Sequence, residues 1–232
     1  MNLILQGLLQ AIWLLISLNP ELYGIISLSL GVSGIAVAVG AVFGIPIGAY
    51  VALRNFPGKQ SLISIVNTLM GLPPVVVGLF VYLLLSASGP LGLLQLLYTP
   101  GAMIIAQLII AMPITIGVTI SSVGSIDRSI HEKAISLGAN KRQLALTVLG
   151  EAKVGMVTAV ILAFGAAISE VGAVMIVGGN IRWFTRVLTT AIVYETDLGD
   201  FAFAIALGII LLLLAFVINL ILTRMQWSGL RR

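Results

Sequence analysis

Few residues in this 232-residue chain carry side chains that could perform chemistry. The chain has no cysteine and a single histidine, His131, which excludes a metal site built from His and Cys within one chain. A phosphate-binding loop also requires a glycine five residues before a Gly-Lys-Ser/Thr, and Gly58-Lys59 is followed by Gln60 and lacks that glycine. We therefore expect no catalytic residue, no metal and no cofactor in this chain, and no ATP hydrolysis by the chain itself.

One carboxylate lies inside a long apolar stretch. Glu170 falls well within residues 154–177, and an ionisable group at membrane depth is costly, which makes it a functional candidate. A carboxylate would repel a negatively charged solute. For that reason a structural role is favoured over contact with such a solute. Two such roles are open: Glu170 caps a helix that is broken at Gly172, or it pairs with Arg182.

Two arginines are the only basic residues between the last two long apolar stretches of the chain, 154–177 and 201–223. Arg182 and Arg186 are four residues apart and share one face if the segment is helical. A positive mouth would concentrate an anionic solute near an entrance. The alternatives are docking of a partner protein or a local ion pair with an acid, for which the candidates are Glu195, Asp197 and Asp200.

These residues must be positioned by membrane helices. Hydrophobic residues make up 59% of the chain and charged residues 9%, whereas a soluble domain has about 25% charged residues. Five continuous apolar stretches approach the roughly 20 residues that span a bilayer: 25–53, 62–86, 102–123, 154–177 and 201–223. Residues 1–24 hold a shorter apolar segment, which we expect to be retained as an interfacial helix or a sixth span. Residues 25–224 form the membrane domain and residues 225–232 a tail.

The placement of Lys and Arg predicts the orientation of these spans. Ten of the twelve basic residues lie after the first, third and fifth spans, and only Arg182 and Arg186 lie on the other side. Basic loops face the cytoplasm in membrane proteins. The chain therefore enters its first span from outside and ends in the cytoplasm.

A proline pair interrupts the second span. Pro73 and Pro74 are followed by Val75, Val76, Val77 and Gly78, and a broken membrane helix must satisfy its freed backbone groups with protein or water. We interpret residues 73–78 as a gate or path element. Pro46 and Pro113, by contrast, are isolated and typical of ordinary membrane helices.

The longest polar stretch, residues 125–153, contains the start and stop signals of two short helices. Ser129 and Glu132 fit a capping box, and Gly138 is placed to end that helix. Asn140 and Gln143 fit a second capping box. The pattern predicts a helix, a sharp turn and another helix, a shape suited to a groove on a partner.

This loop resembles the EAA loop of ABC importer permeases. Glu132, Ala134 and Gly138 match the pattern, while Lys133 replaces its first alanine and Glu151 stands where many members have proline. The resemblance implies that this loop docks on the ATPase subunit. The residues assigned to that contact are Glu132, Ala134, Gly138, Ala139 and Arg142.

The resemblance covers nearly the whole chain. Residues 54–59 are similar to molybdate-type permeases, and three further stretches are similar to the tungstate-type branch: 67–78, 167–181 and 185–192. It implies an all-α type I ABC importer permease fold with five core spans and a short N-terminal helix. It also implies a prokaryotic cytoplasmic (inner) membrane location.

The resemblance further implies a set of partners and a path. The expected partners are a second copy of the chain, two cytoplasmic ATPase subunits that bind ATP and Mg, an extracytoplasmic oxyanion-binding protein and membrane lipid, with no nucleic acid. Besides residues 73–78, the expected path residues are Ser169, Glu170 and Gly172. The expected mouth or docking residues are Asn180, Arg182, Arg186, Thr189 and Thr190.

The expected cargo is tungstate, and three further readings stay open. The first is the same machine with molybdate, sulfate or an amino acid as cargo. The second is a secondary transporter, although the chain shows no convincing internal repeat of the kind that class often has. The third is a membrane scaffold, which has no need of Pro73-Pro74 or Glu170.

Overall fold

The computed structural model describes residues 3–228, and in that range the chain is helical with no strand. The helices are α1 Leu3–Ile16, α2 Pro20–Leu53, α3 Lys59–Met70, α4 Pro74–Leu85, α5 Pro100–Gly124, α6 Arg128–Ser136, α7 Lys141–Glu151, α8 Lys153–Ile168, α9 Gly172–Gly178, α10 Leu188–Asp197 and α11 Phe201–Ser228. The predicted all-α class is therefore confirmed. The side chain of His131 and the tail arginines Arg231 and Arg232 lie outside what the structure describes.

The centre of the fold is the pair α2 and α5. Three glycines, Gly40, Gly44 and Gly48, recur every four residues along α2 and face α5. A Cβ on Gly48 would lie 2.6 Å from the carbonyl oxygen of Ile116, and the Thr115 hydroxyl donates to the Gly40 carbonyl at 3.0 Å. Small residues at this spacing let membrane helices approach closely. Both helices continue through their internal prolines, Pro46 and Pro113.

Three of the predicted spans are single long helices, namely α2, α5 and α11. The second predicted span is two helices, α3 and α4, which are bent by 95° at residues 71–73. The fourth ends its first helix at Ile168 and resumes in α9 at Gly172. The structure therefore contains the interruption predicted at Pro73-Pro74 and a second one at residues 169–171, where the backbone hydrogen bonding of a continuous helix is broken.

The N-terminal helix packs across the start of α11. A Cβ on Gly7 would meet Ile205, and Ala11 and Leu14 share a core cluster with Leu207. Fourteen residues of helix extend about 21 Å, which is short of the ~30 Å bilayer core. This length is shorter than a bilayer span, as expected of an interfacial helix. Helix α2 begins at Pro20, five residues before the span predicted from residue 25, and the Asn19 side chain caps it.

Candidate functional site

The predicted helix–turn–helix is present as α6 and α7, here called the α6–α7 hairpin (Arg128–Glu151). The predicted Ser129–Glu132 capping box is wrong. The N-cap is Asp127, whose carboxylate accepts from the Ser129 amide at 2.7 Å and whose pKa is lowered by that bond. Asp127 lies two residues before Ser129 and offers a charged acceptor, which binds one free amide of the first turn. Glu132 instead lies 3.3 Å from Arg128 in an exposed pair.

The turn of the hairpin is built as the sequence predicts. Gly138 has φ of +80°, and the Ala139 amide donates to the Ala134 carbonyl at 3.0 Å, which closes the end of α6. Asn140 and Gln143 form the predicted capping box of α7. At the tip Leu137 is 87% exposed, and Arg142 is also exposed. The hairpin thus presents an apolar tip beside a cation.

The predicted path residues of the second span flank its bend. Pro73 is the N-cap of α4 and Pro74 its first residue, a position where the missing amide hydrogen costs nothing. The following valines divide between two surfaces. Val75 is 57% exposed and Val76 is also exposed, whereas Val77 is 4% exposed and packs into the core with Gly78.

The two interrupted spans meet each other. A Cβ on Gly78 would lie 2.6 Å from the Cα of Ala173, and a Cβ on Gly172 would lie 2.7 Å from a Val75 methyl group. We call this contact, residues 73–78 and 170–174, the α4–α9 junction. The spacing of residues in the sequence did not predict that these two stretches touch.

Glu170 caps the second of these helices. It is 7% exposed, and its Oε1 accepts from the Ala173 amide at 2.8 Å, so the capping alternative is confirmed. Its own carbonyl accepts from the Thr189 hydroxyl at 2.9 Å. Ser169 is exposed, and its hydroxyl donates to the Gly165 carbonyl at 2.7 Å. Thr190 is fully buried, and its hydroxyl bonds with both backbone groups of Val187.

The alternative pairing of Glu170 with Arg182 is wrong. Arg182 donates two hydrogen bonds of 2.7 Å to the carboxylate of Glu21, which raises the pKa of the arginine. The pair joins the start of α2 to the segment between α9 and α10. Sequence reasoning missed Glu21, whose partner lies 161 positions away.

The two arginines do not share a helical face, because residues 179–187 are turns and extended backbone. Arg186 instead stacks over Tyr194, with its Cζ 4.4 Å from the ring centroid. Nearby Glu195 has a raised pKa, mainly through burial and against the opposing charge of Arg186. Asn180, the second residue of this segment, has φ of +49°. None of the three predicted acids pairs with Arg182 in the described part of the chain.

No group of three His, Cys, Asp or Glu side chains within residues 3–228 could hold a metal ion. One end of the molecule carries an exposed hairpin, and the interior carries two interrupted helices that touch. The end opposite the hairpin carries an ion-paired segment around Arg182 and Arg186.

Comparison with known proteins identifies relatives that match most of this chain. The tungstate uptake system permease protein TupB of Peptoclostridium acidaminophilum is 43% identical over 226 residues, which cover 97% of this chain and 99% of that protein. A probable anion ABC transporter permease protein of Haloferax volcanii is 48% identical over 203 residues, covering 85% and 88% respectively.

A solved structure has the same fold. A chain of the MetNI methionine ABC transporter, in inward-facing conformations, matches 92% of this chain and 98% of its own length with a TM-score of 0.71 at 17% identity. The predicted type I importer permease fold is thereby confirmed. The family model described as "binding-protein-dependent transport system inner membrane component" matches residues 44–226, and the chain belongs to that family of multi-pass ABC transporter permeases.

Proposed function

We propose that this chain is the membrane-spanning subunit of an ATP-driven importer of a tetrahedral oxyanion, with tungstate as the cargo. The observation that carries the mechanism is the α6–α7 hairpin, a locally capped unit with an exposed apolar tip at Leu137. The cargo rests on the 43% identity to a tungstate uptake permease over nearly the full chain.

The hairpin is the element that receives force from a separate ATPase subunit, which binds ATP and Mg. Its two helices are closed by Asp127, Gly138 and Asn140, so it moves as one body when pushed. Positive residues concentrate at the same end of the molecule, which we assign to the cytoplasm together with the C-terminus.

The α4–α9 junction is the moving part near the path. Two interrupted helices in contact can switch between discrete packings, and such bistable contacts turn small shifts into an open or closed path. We assign the exposed Val75 and Val76 to the surface that meets a second copy of the chain. The ion-paired segment at the opposite end, with Arg182 and Arg186, serves as the docking surface of a soluble oxyanion-binding protein.

The dimer can be tested with single cysteines, since the chain has none of its own. Val75→Cys or Val76→Cys should cross-link to its twin in at least one nucleotide state. Val77→Cys is the matched control, because its side chain points into the core. Absence of a cross-link at both exposed positions, with other exposed cysteines forming one, would remove residues 75–76 from the two-fold axis.

The cargo is tested by reconstituting the permease in proteoliposomes with its ATPase subunits and a soluble oxyanion-binding protein. Uptake of tungstate should require ATP and should exceed that of sulfate at equal concentration. Uptake of sulfate, molybdate or an amino acid in preference would replace the cargo and keep the machine. Uptake driven by an ion gradient without ATP would overturn the proposal.

A further inference from the structure

We propose that the cavity between α2, α5 and α7 binds the headgroup of an anionic phospholipid. The cavity has a volume of about 620 Å³ and lies where α2 and α5 end and α7 begins. This size is within the range of small-molecule sites, about 300–1,000 Å³. Its position at the lipid headgroup level rests on the orientation given above, in which this end faces the cytoplasm.

The charge of the cavity favours an anion. Arg54 and Lys141 both line it and are exposed, and no Asp or Glu is among its described lining residues. Basic pockets between spanning helices on the cytoplasmic side are suited to acidic lipid headgroups. Arg54 also lies with its Cζ 5.9 Å from the centroid of the Tyr50 ring, an aromatic placed at the same rim.

The C-terminus of α2 does not cancel this charge. A helix C-terminus is normally negative because its last carbonyls lack partners. At the end of α2, the Lys59 ammonium donates to the carbonyls of Ala52 and Arg54, each at 2.9 Å. Lys59 therefore neutralises the helix end, and Arg54 and Lys141 stay available to a ligand.

The surroundings favour a lipid over a free anion. Apolar side chains form much of the wall, including Leu53, Val123 and Leu144. Above the cavity, α2 exposes a run of large apolar side chains at helical spacing, which leads down to Arg54: Ile35, Val42, Phe43, Ile47 and Tyr50. An acyl chain along that face and a phosphate between the two cations would match both surfaces, which a free phosphate would not.

A lipid at this place would act on the hairpin. Lys141 is the first residue of α7 and Arg54 directly follows α2, so one headgroup between them ties the hairpin to the central helix pair. An acidic lipid would thus hold the α6–α7 hairpin in place against the central helix pair. The acidic lipid content of the membrane would then influence how tightly ATP hydrolysis is coupled to transport.

The test uses the purified full-length permease in neutral detergent, titrated with phosphatidylglycerol or phosphatidylcholine of identical acyl chains and followed by native mass spectrometry. We expect tighter binding of phosphatidylglycerol. The Arg54→Ala, Lys141→Ala double variant should weaken it by roughly fivefold for each cation removed, without changing the binding of phosphatidylcholine.

The matched control is the Lys153→Ala, Arg224→Ala double variant. Both residues are exposed at the same end, neither lines the cavity, and the loss of net charge is identical. An equal loss of phosphatidylglycerol binding in this control, or no preference of the wild type for phosphatidylglycerol, would overturn the proposal.

Two further measurements control for altered folding and for binding of a free anion. The charge-preserving Arg54→Lys, Lys141→Arg variant should keep the lipid preference, so a loss there as well would point to altered folding and count against a charge-selective site. Inorganic phosphate, added in place of lipid, should not raise the melting temperature as phosphatidylglycerol does. An equal rise would assign the cavity to a free anion and overturn the lipid. None of these readouts requires transport, so they stand apart from the proposed import function.

Discussion

The α6–α7 hairpin and the α4–α9 junction both depend on a glycine, for opposite reasons. At Gly138 an added Cβ would meet nothing within 4 Å, but φ is +80°, which disfavours side chains with a Cβ. At Gly78 the residue is inside a regular helix, but a Cβ would lie 2.6 Å from the backbone of Ala173. The hairpin is thus specified by local conformation, and the junction by contact between distant parts of the chain.

The sharpest test of this difference is Gly78→Ala. Its methyl group meets the Ala173 backbone, which cannot rotate away, so we expect a loss of about 1–3 kcal/mol in the free energy of unfolding. Thermal unfolding of the purified permease would measure it. Gly165→Ala is the control, because nothing lies within 4 Å of its Cβ position in α8. Equal melting temperatures for the two variants would show that α4 and α9 do not pack as described.

The hairpin should respond differently to Gly138→Val. A left-handed conformation costs a residue with a Cβ roughly 1–2 kcal/mol, and the β-branched valine resists it strongly. We expect transport to be uncoupled while the melting temperature of the spans stays close to that of the wild type. Gly138→Asn is the control, since asparagine tolerates positive φ. Uptake in proteoliposomes at the wild-type rate from Gly138→Val would contradict the assigned role of the turn.

The same difference explains what the sequence could and could not predict. The Asn140–Gln143 box and the turn at Gly138 depend on residues within four positions, so pattern alone located them. The Ser129–Glu132 box failed because the helix begins two residues earlier, where the Asp127 carboxylate accepts from the Ser129 amide. The amides that a Ser129 cap would serve therefore lie inside the helix. The pattern around Ser129 does not by itself say which of two nearby acceptors starts the helix.

Contacts between residues far apart in the sequence could not be predicted from residue spacing. Proline and glycine marked both interrupted spans, but nothing in the sequence announced that Gly78 fits against Ala173. Arg182 was weighed against nearby acids, whereas its partner is Glu21 at the start of α2. Pairings of this kind are set by how the helices pack, which a single sequence does not display.

Glu170 allows the junction to be tested from its other side. If its role is to accept from the Ala173 amide, Glu170→Gln keeps an acceptor oxygen and should behave like the wild type. Glu170→Ala removes the cap and should cost about 1 kcal/mol in the free energy of unfolding. Denaturation of both variants side by side checks this. An equal loss in Glu170→Gln would show that the negative charge itself is needed.

A smaller effect is expected at the end opposite the hairpin, where a surface ion pair joins two elements. Arg182→Ala and Glu21→Gln should each lower stability slightly. A double-mutant cycle should give only a weak coupling between the two residues, because the arginine side chain is 61% exposed. The coupling should shrink at high salt through screening. A large coupling energy that is independent of salt would mean that this pair is more enclosed than the structure shows.

The smallest expected effect is a pH dependence at Glu195. Burial raises its pKa above the ordinary value of 4.5, with Arg186 opposing the shift. A raised folded-state pKa means that the neutral form is preferred in the fold, so its contribution to stability is present below pH 4.5 and is lost as pH rises through the folded pKa. Relative to Glu195→Gln, the wild type should therefore lose stability between about pH 4 and neutral pH.

Melting temperatures measured across that range test this, with Asp197→Asn as a control on the same helix. Parallel curves for the wild type and Glu195→Gln would show that Glu195 is as well solvated in the fold as in the unfolded chain.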